Sequence, residues 1–139
     1  SDLNMKKIGV WIDKDKALIV TLEKGKESFK TIVSNIEHFR PQGGSGTRFK
    51  GGPQDVVQDS KFLERESHQL KQYFNKILPE LKDVEALVIF GPAETKDKFR
   101  KEIDLNHKEL AQKLKGTEKA DSMTENQIKA WVRDFFAAS

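Results

Sequence analysis

The run Ala86-Leu87-Val88-Ile89-Phe90-Gly91-Pro92 decides the fold. Its first five residues are apolar without interruption, and charged or turn-forming residues flank it on both sides. An apolar run of this length is typical of a β-strand that is buried on both faces, which is the usual centre of an α/β sheet. The sequence therefore predicts a central strand that ends in a tight exit at Gly91-Pro92.

Upstream of this run, an apolar period of two predicts a three-strand meander. Residues 8–12 alternate between apolar and other side chains, residues 17–22 form a β-rich apolar run, and residues 28–36 alternate again. Short charged turns at residues 13–16 and 23–26 separate the three segments. Strands joined by such turns pair as antiparallel neighbours.

Beyond residue 53 the apolar period changes to about 3.6, which is typical of α-helices. The pattern predicts a long helix that begins near Gln54 or Asp55 and ends near Leu78, because Pro79 cannot continue a regular helix without cost. The predicted apolar stripe of this helix comprises Val56, Ser60, Leu63, Ser67, Leu70, Phe74, Ile77 and Leu81.

The C-terminal part predicts further helices and one edge strand. Helical patterns cover residues 94–104 and 110–114, with Gly116 closing the second helix, and residues 117–123 are compatible with an edge strand. A last helix begins at the capping-box sequence Thr124-Glu125-Asn126-Gln127. Its apolar face comprises Ile128, Trp131, Val132, Phe135 and Phe136.

The order β-β-β-loop-α-β-α-β-α predicts one α/β domain over residues 5–139, with a mixed sheet and helices packed on its faces. The 139 residues contain no Cys and carry a net charge of +3, with a pI near 9.0. The lack of Cys excludes disulfides and fits a reducing compartment. No apolar run approaches the roughly 20 residues of a membrane span, so we expect a cytoplasmic protein without a membrane partner. Ser1 to Asn4 precede Met5 and are interpreted as an expression remnant.

The stretch from Phe39 to Pro53 is the candidate functional loop. It holds five of the nine glycines and three cations, Arg40, Arg48 and Lys50, but no acidic residue. Glycine lets the backbone approach a partner closely, the cations are spaced to meet successive phosphates, and the two phenylalanines offer surfaces for base stacking. The pattern predicts a flexible loop that binds RNA. A solvated connector of the same composition is the structural alternative.

The stretch from Ala86 to Phe99 resembles the strand, Gly-Pro turn and lysine-bearing helix of the central domain of eukaryotic and archaeal class-1 release factors and of Pelota. Residues 8–21 are similar to that domain's opening hairpin. Arg40 to Phe49 stand where release factors carry a Gly-Gly-Gln loop and an Arg-Phe pair, and a long helix follows. The likeness covers most of the chain from Met5 onward and extends to bacterial and archaeal release-factor-like families. It implies a ribonuclease-H-like fold in the broad sense and a ribosome or tRNA partner.

The candidate loop departs from the Gly-Gly-Gln pattern. In release factors that glutamine enters the ribosomal peptidyl-transferase centre and helps position the water that cuts peptidyl-tRNA. Here Ser45 follows Gly43-Gly44, and Gln42 precedes them. Gln42 and Ser45 are the remaining candidates for catalysis, and a Pelota-like role without hydrolysis is equally compatible. The predicted RNA-binding residues are Arg40, Gly43, Gly44, Arg48, Phe49 and Lys50.

Two functions from different classes are compatible with this sequence. The first is a translation-associated factor that binds the ribosome or a tRNA end through the loop. The second is a non-catalytic module on the same fold that docks another protein through the loop or through the Trp131 to Phe136 face.

The candidate residues for metal, nuclease and nucleotide-binding chemistry each have a local structural explanation as well. Asp13, at the end of the first strand, is where a two-metal nuclease of the ribonuclease-H-like group places its first carboxylate, but a hairpin turn also favours Asp for local hydrogen bonding. His38, His68 and His107 lack metal-ligand spacing, and Gly91-Pro92 lacks the further glycines of a nucleotide-binding turn. No metal and no cofactor are predicted.

Overall fold

The computed structural model describes residues 5–36 and 52–138, and it describes side chains for residues 5–36 and 61–138. The strands in these ranges are β1 (Lys7–Ile12), β2 (Lys16–Glu23), β3 (Lys26–Val33), β4 (Ala86–Gly91) and β5 (Leu114–Lys119). The helices are α1 (Gly52–Ile77), α2 (Thr95–Asn106), α3 (Lys108–Lys113) and α4 (Glu125–Ala138). A short 3-10 helix, Leu78–Leu81, follows α1. None of the described helices has a segment long and apolar enough to cross a membrane.

The described strands form one mixed sheet in the order β3-β2-β1-β4-β5. β1, β2 and β3 pair as an antiparallel meander, whereas β4 is parallel to β1 on one side and to β5 on the other. Every residue of β4 is buried, because neighbouring strands flank it and helices cover both faces. The predicted meander and the predicted central strand are confirmed.

Helices cover the two faces of the sheet and create two apolar cores. On one face, α1, α2 and α3 bury Tyr73, Phe74 and Phe99 against the sheet. On the other face, α4 buries Ile128 and Val132. Burial of each large apolar side chain stabilises the fold by about 1.5 to 3 kcal/mol, so a sheet with two apolar faces needs both layers. The predicted α/β class, with helices on the faces of a mixed sheet, is confirmed.

Helix α4 begins and packs as its sequence predicts. The Thr124 backbone N–H donates to Gln127 Oε1 at 2.9 Å, and the Gln127 N–H donates to Thr124 Oγ1 at 3.2 Å, which is a capping box. The Trp131 ring stacks on Phe90 of the sheet, with 3.8 Å between ring centroids, and on Phe135 at 5.5 Å. The Trp131 to Phe136 face therefore packs against the sheet, with Val132 and Phe136 buried and Trp131 and Phe135 partly buried.

The buried face of α1 differs from the predicted stripe. Leu70 and Ile77 are buried as predicted, but Leu63 is 57% exposed, whereas Phe62 and Tyr73 are buried. With Glu66, which is also buried, these buried residues follow one another in steps of four and three positions, which keeps them on a single helical face. Two neighbouring apolar residues at positions 62 and 63 compete for that face, and the pattern alone does not choose between them.

The start of α1 also differs slightly from the prediction. The helix begins at Gly52, ahead of the predicted Gln54, and includes Pro53 in its first turn. Proline is tolerated there because the missing N–H would have no partner within the helix. The remainder of the predicted loop, residues 39–51, lies outside the described residues.

Gly116 does not close α3. That helix ends at Lys113 and β5 begins at Leu114, so Gly116 lies within a strand and pairs with Val88. A Cβ at Gly116 would lie 3.2 Å from Glu118 Oε2 and, at an ordinary contact distance of 3.5 Å, from Phe135 Cζ of α4. The predicted edge strand exists, but it begins earlier than residue 117.

Tyr73 joins α1 to the sheet. Its side chain is fully buried, and its hydroxyl donates to the backbone carbonyl of Asp13 at 3.0 Å. Burial, and to a smaller extent the carboxylates of Asp13 and Asp15, raise the pKa of the Tyr73 hydroxyl well above its ordinary value of 10.0. The folded protein therefore holds this side chain in its neutral form.

A test of the packing between β1 and α4 is Gly9→Ala. A Cβ at Gly9 would lie 2.4 Å from Cγ2 of the buried Val132, so one of the two elements must move. We expect a loss of about 1 to 3 kcal/mol in the free energy of unfolding, measured in urea. In the Gly9→Ala/Val132→Ala double variant we expect the two losses to fall short of additivity by about 1 kcal/mol. Fully additive losses would contradict this close approach.

A second test uses Tyr73, the only tyrosine of the chain. The unfolded chain releases the phenolic proton near pH 10 and the folded chain does not, so stability is full below that pH and falls as pH rises above it. We expect phenolate absorbance to appear only on unfolding. Tyr73→Phe is expected to cost about 1 kcal/mol at neutral pH through the lost hydrogen bond and to lessen the alkaline loss. An absorbance change in the folded protein near pH 10 would refute this.

Candidate functional site at the carboxyl edge of the sheet

The parallel strands β1 and β4 end at the same edge of the sheet, called here the carboxyl edge. The turn of residues 13–16 follows β1, and residues 92–94 follow β4. Helix α1 crosses this edge, because Phe62 and Tyr73 both contact the turn after β1. From Phe62 back to Gly52 the helix continues for about 15 Å, at 1.5 Å per residue. The Gly-rich basic stretch therefore joins α1 about 15 Å along the helix from its first described contact with this edge, at Phe62.

The turn after β1 is held by its own aspartate. Asp13 Oδ1 accepts the backbone N–H groups of Asp15 at 2.7 Å and Lys16 at 2.9 Å. Such local bonds stabilise a tight turn, so the prediction that turn geometry explains Asp13 is confirmed. Within residues 5–36 and 61–138, no group of three or more His, Cys, Asp or Glu side chains could hold a metal ion.

Glu66 links three elements at the carboxyl edge. Its side chain is 12% exposed, and its carboxylate pairs with Lys14 Nζ of the turn and, at 3.7 Å, with Lys98 Nζ of α2. Lys14 Nζ also lies 5.3 Å from the ring centroid of Phe62, within the range of a cation–π contact. Two lysines compensate the desolvation of one nearly buried carboxylate. These contacts link α1 to the turn after β1 and to α2.

The turn after β4 is close-packed. Gly91 has φ +150°, and a Cβ there would lie 2.3 Å from the carbonyl oxygen of Ile12, so only glycine fits. Ala93 has φ 52°, and its carbonyl accepts a hydrogen bond from Nζ of the buried Lys96. The same Nζ lies 3.3 Å from Asp97 Oδ2. The predicted tight exit is confirmed, and the lysine of α2 holds that exit in place.

A cavity of about 260 Å³ lies between these two turns. Its lining includes four carboxylate residues and two lysines. The excess of negative charge repels a phosphate group, so this cavity does not suit a nucleic acid. The lining residues are Asp13, Lys14, Asp15, Glu66, Leu70, Ala93, Glu94, Thr95 and Lys98.

The chain that leads into the Gly-rich stretch is tied to the same edge. After β3, the Ser34 N–H donates to the Asp15 carbonyl at 2.9 Å, and its hydroxyl donates to the Lys14 carbonyl at 2.6 Å. The Ile36 N–H donates back to Ser34 Oγ at 3.2 Å. Both ends of the stretch therefore leave from elements that the turn after β1 holds.

The predicted site residues themselves lie outside the described residues. The structure places their two attachment points, Ile36 and Gly52, but not the side chains. Sequence reasoning missed Glu66 and its lysines because an ion pair between distant elements leaves no local pattern. The predicted residues not described are Arg40, Gln42, Gly43, Gly44, Ser45, Arg48, Phe49 and Lys50.

Comparison with known proteins reveals a likeness in fold only. The chain matches no protein-family model and no curated protein sequence. Among solved structures, Pelota of Archaeoglobus fulgidus aligns at 13% identity and a TM-score of 0.55, over 99% of this chain and 37% of that one. Pelota of Thermoplasma acidophilum aligns at 16% identity and a TM-score of 0.54, over 100% of this chain and 34% of that one.

An archaeal translation termination factor aligns at 12% identity, over 96% of this chain and 39% of that one. Its TM-score is 0.49, which is too low to establish a shared fold. The chain spans about a third of the length of the two Pelota structures. Identities this low show shared architecture and not shared activity. The chain is thus similar in fold to part of Pelota, as the resemblance in its sequence implies.

Proposed function

We propose that this chain is a translation-associated factor that binds the ribosome or a tRNA end through residues 39–53. The observation that carries the proposal is the fold likeness to two archaeal Pelota proteins over nearly the whole chain. The sequence resemblance to release-factor central domains supports the same conclusion, because it places the Gly-rich basic stretch where those domains carry their ribosome-directed loop.

The attachment of the stretch supports this role. Ser34 anchors its start to the turn after β1, and Glu66 anchors α1, which follows its end, to the same turn. The described parts of the chain on either side of the stretch are therefore both tied to the turn after β1.

The chemistry of the stretch favours RNA. Arg40, Arg48 and Lys50 are its only charged residues. Cations that neutralise phosphates release bound counterions, which makes the affinity for RNA dependent on salt. The glycines allow the backbone to come close to a nucleic acid surface.

We propose association without peptidyl-tRNA hydrolysis. Gly43-Gly44 is followed by Ser45, and the nearest glutamine, Gln42, stands on the other side of the glycines. A water-positioning group acts at the transition state and needs a defined place. A glutamine that precedes the two glycines, as Gln42 does, does not provide this defined position for the water.

The main test is the variant Arg40→Ala/Arg48→Ala/Lys50→Ala. We expect it to lose co-sedimentation with ribosomes, or tRNA binding, without a change in thermal stability. Loss of about three phosphate contacts is expected to flatten the logarithmic salt dependence by about 2 to 3 units, at roughly 0.7 to 0.9 per contact. A matched control, Lys26→Ala/Lys82→Ala/Lys115→Ala, removes three exposed cations at the opposite edge of the sheet and leaves binding intact.

Equal binding of ribosomes or tRNA by the wild type and the loop variant would contradict the assignment of residues 39–53 as the binding segment. Binding that does not respond to salt would instead favour the alternative, a module that docks another protein through a mainly apolar contact.

A separate test concerns hydrolysis. We expect no release of peptide when the wild-type protein is added to stalled ribosomes that carry peptidyl-tRNA. Release by the wild type, lost in Gln42→Ala or Ser45→Ala while ribosome association persists, would overturn this expectation, because such a loss is specific to the transition state.

A further inference from the structure

A groove of about 420 Å³ lies between the chain that follows β3 and one flank of α1. Its lining contains no carboxylate. It also brings together four of the twelve asparagine and glutamine residues of the chain, which marks it as chemically distinct from the rest of a highly charged surface. The lining residues are Ser34, Asn35, Gln69, Gln72, Asn75 and Lys76.

Cations continue the groove along the same flank of α1. Lys61 and Arg65 precede Gln69 at intervals of four residues, so all three lie on one side of the helix, and both cations are exposed. Lys76 stands at the other end, where its Nζ donates to the Val33 carbonyl at 2.7 Å. From Lys61 to Lys76 this flank runs for about 22 Å, which accommodates several nucleotides of an extended strand.

We propose that this groove, called here the amide groove, binds single-stranded RNA. Amide side chains carry a donor and an acceptor together, which suits the exposed edges of unpaired bases and the 2′-hydroxyl of ribose. They carry no charge that repels phosphate, while the flanking cations attract it. The inference rests on the proposed function and extends it to a second contact surface for the same RNA.

The position of the groove favours RNA over a peptide, whose backbone also pairs with amides. Ser34 and Asn35 line the groove, and only the three residues 36–38 separate Asn35 from the Gly-rich basic stretch. An RNA strand bound by that stretch therefore needs to extend only a short distance to enter the amide groove. The cavity between the turns has an excess of carboxylates, which repel phosphate, so it does not compete with the groove for RNA.

The test is the variant Gln69→Glu/Gln72→Glu/Asn75→Asp. These changes preserve size and helix propensity but add three negative charges to the groove. Because the added charges repel phosphate, affinity for a fluorescently labelled, mixed-sequence single-stranded RNA is expected to fall about tenfold in an anisotropy titration. Thermal unfolding is measured alongside to show that the fold persists.

The matched control is Asn106→Asp/Gln112→Glu/Asn126→Asp. It makes the same three amide-to-acid changes at exposed positions outside the groove, so its RNA affinity is expected to equal that of the wild type. A second variant, Gln69→Ala/Gln72→Ala/Asn75→Ala, is expected to weaken binding without any change in charge. Together they separate hydrogen bonding in the groove from a general effect of net charge.

Three results would overturn the inference: no measurable affinity of the wild type for the RNA, wild-type affinity in the groove variant, or an equal loss in the control. Ribosome co-sedimentation distinguishes this failure from failure of the proposed function. Suppose that the Arg40/Arg48/Lys50 variant no longer co-sediments with ribosomes, while the groove variant still binds both ribosomes and the labelled RNA. The assignment of the amide groove is then wrong, and the proposed function stands. If only the groove variant loses RNA, the groove stands and the loop assignment is wrong.

Discussion

The parallel pairing of β1 with β4 is the constraint on which the rest of the structure depends. Both strands lie inside the sheet and are buried on both faces, so helices must cover each face before either strand is stable. A parallel pair also requires a long connection, and here that connection contains β2, β3, residues 37–51 and α1. The candidate functional stretch therefore lies within the crossover that the central pairing demands.

The same pairing gathers the exits of β1 and β4 at one edge. Tyr73 and Glu66 use that edge to hold α1, the first through a hydrogen bond to a backbone carbonyl and the second through two lysines. The Tyr73 hydrogen bond is neutral and buried, whereas the Glu66 ion pairs are charged and partly exposed to solvent. The two contacts therefore respond differently to pH and to salt. Together they orient the helix that follows the Gly-rich stretch.

On this fold, function depends on the residues presented near the carboxyl edge of the sheet. The fold likeness to Pelota concerns architecture, and the chemistry comes from this chain: a stretch with three cations and no acid, and a groove rich in amides. The groove lies where β3 ends, next to the chain that leads into that stretch. The cavity between the turns carries an excess of carboxylates, which repels an anionic group.

The sequence by itself determined the features that depend on neighbouring residues. The apolar run of β4, the capping box at Thr124 and the composition of residues 39–53 are local, and local patterns act before any tertiary contact forms. Tertiary structure alone decided that Phe62 and not Leu63 faces the core, that Gly116 lies in a strand, and that four amides share one groove. Each of these outcomes depends on a partner distant in the chain, because burial and ion pairing are properties of the packed domain and not of any one segment.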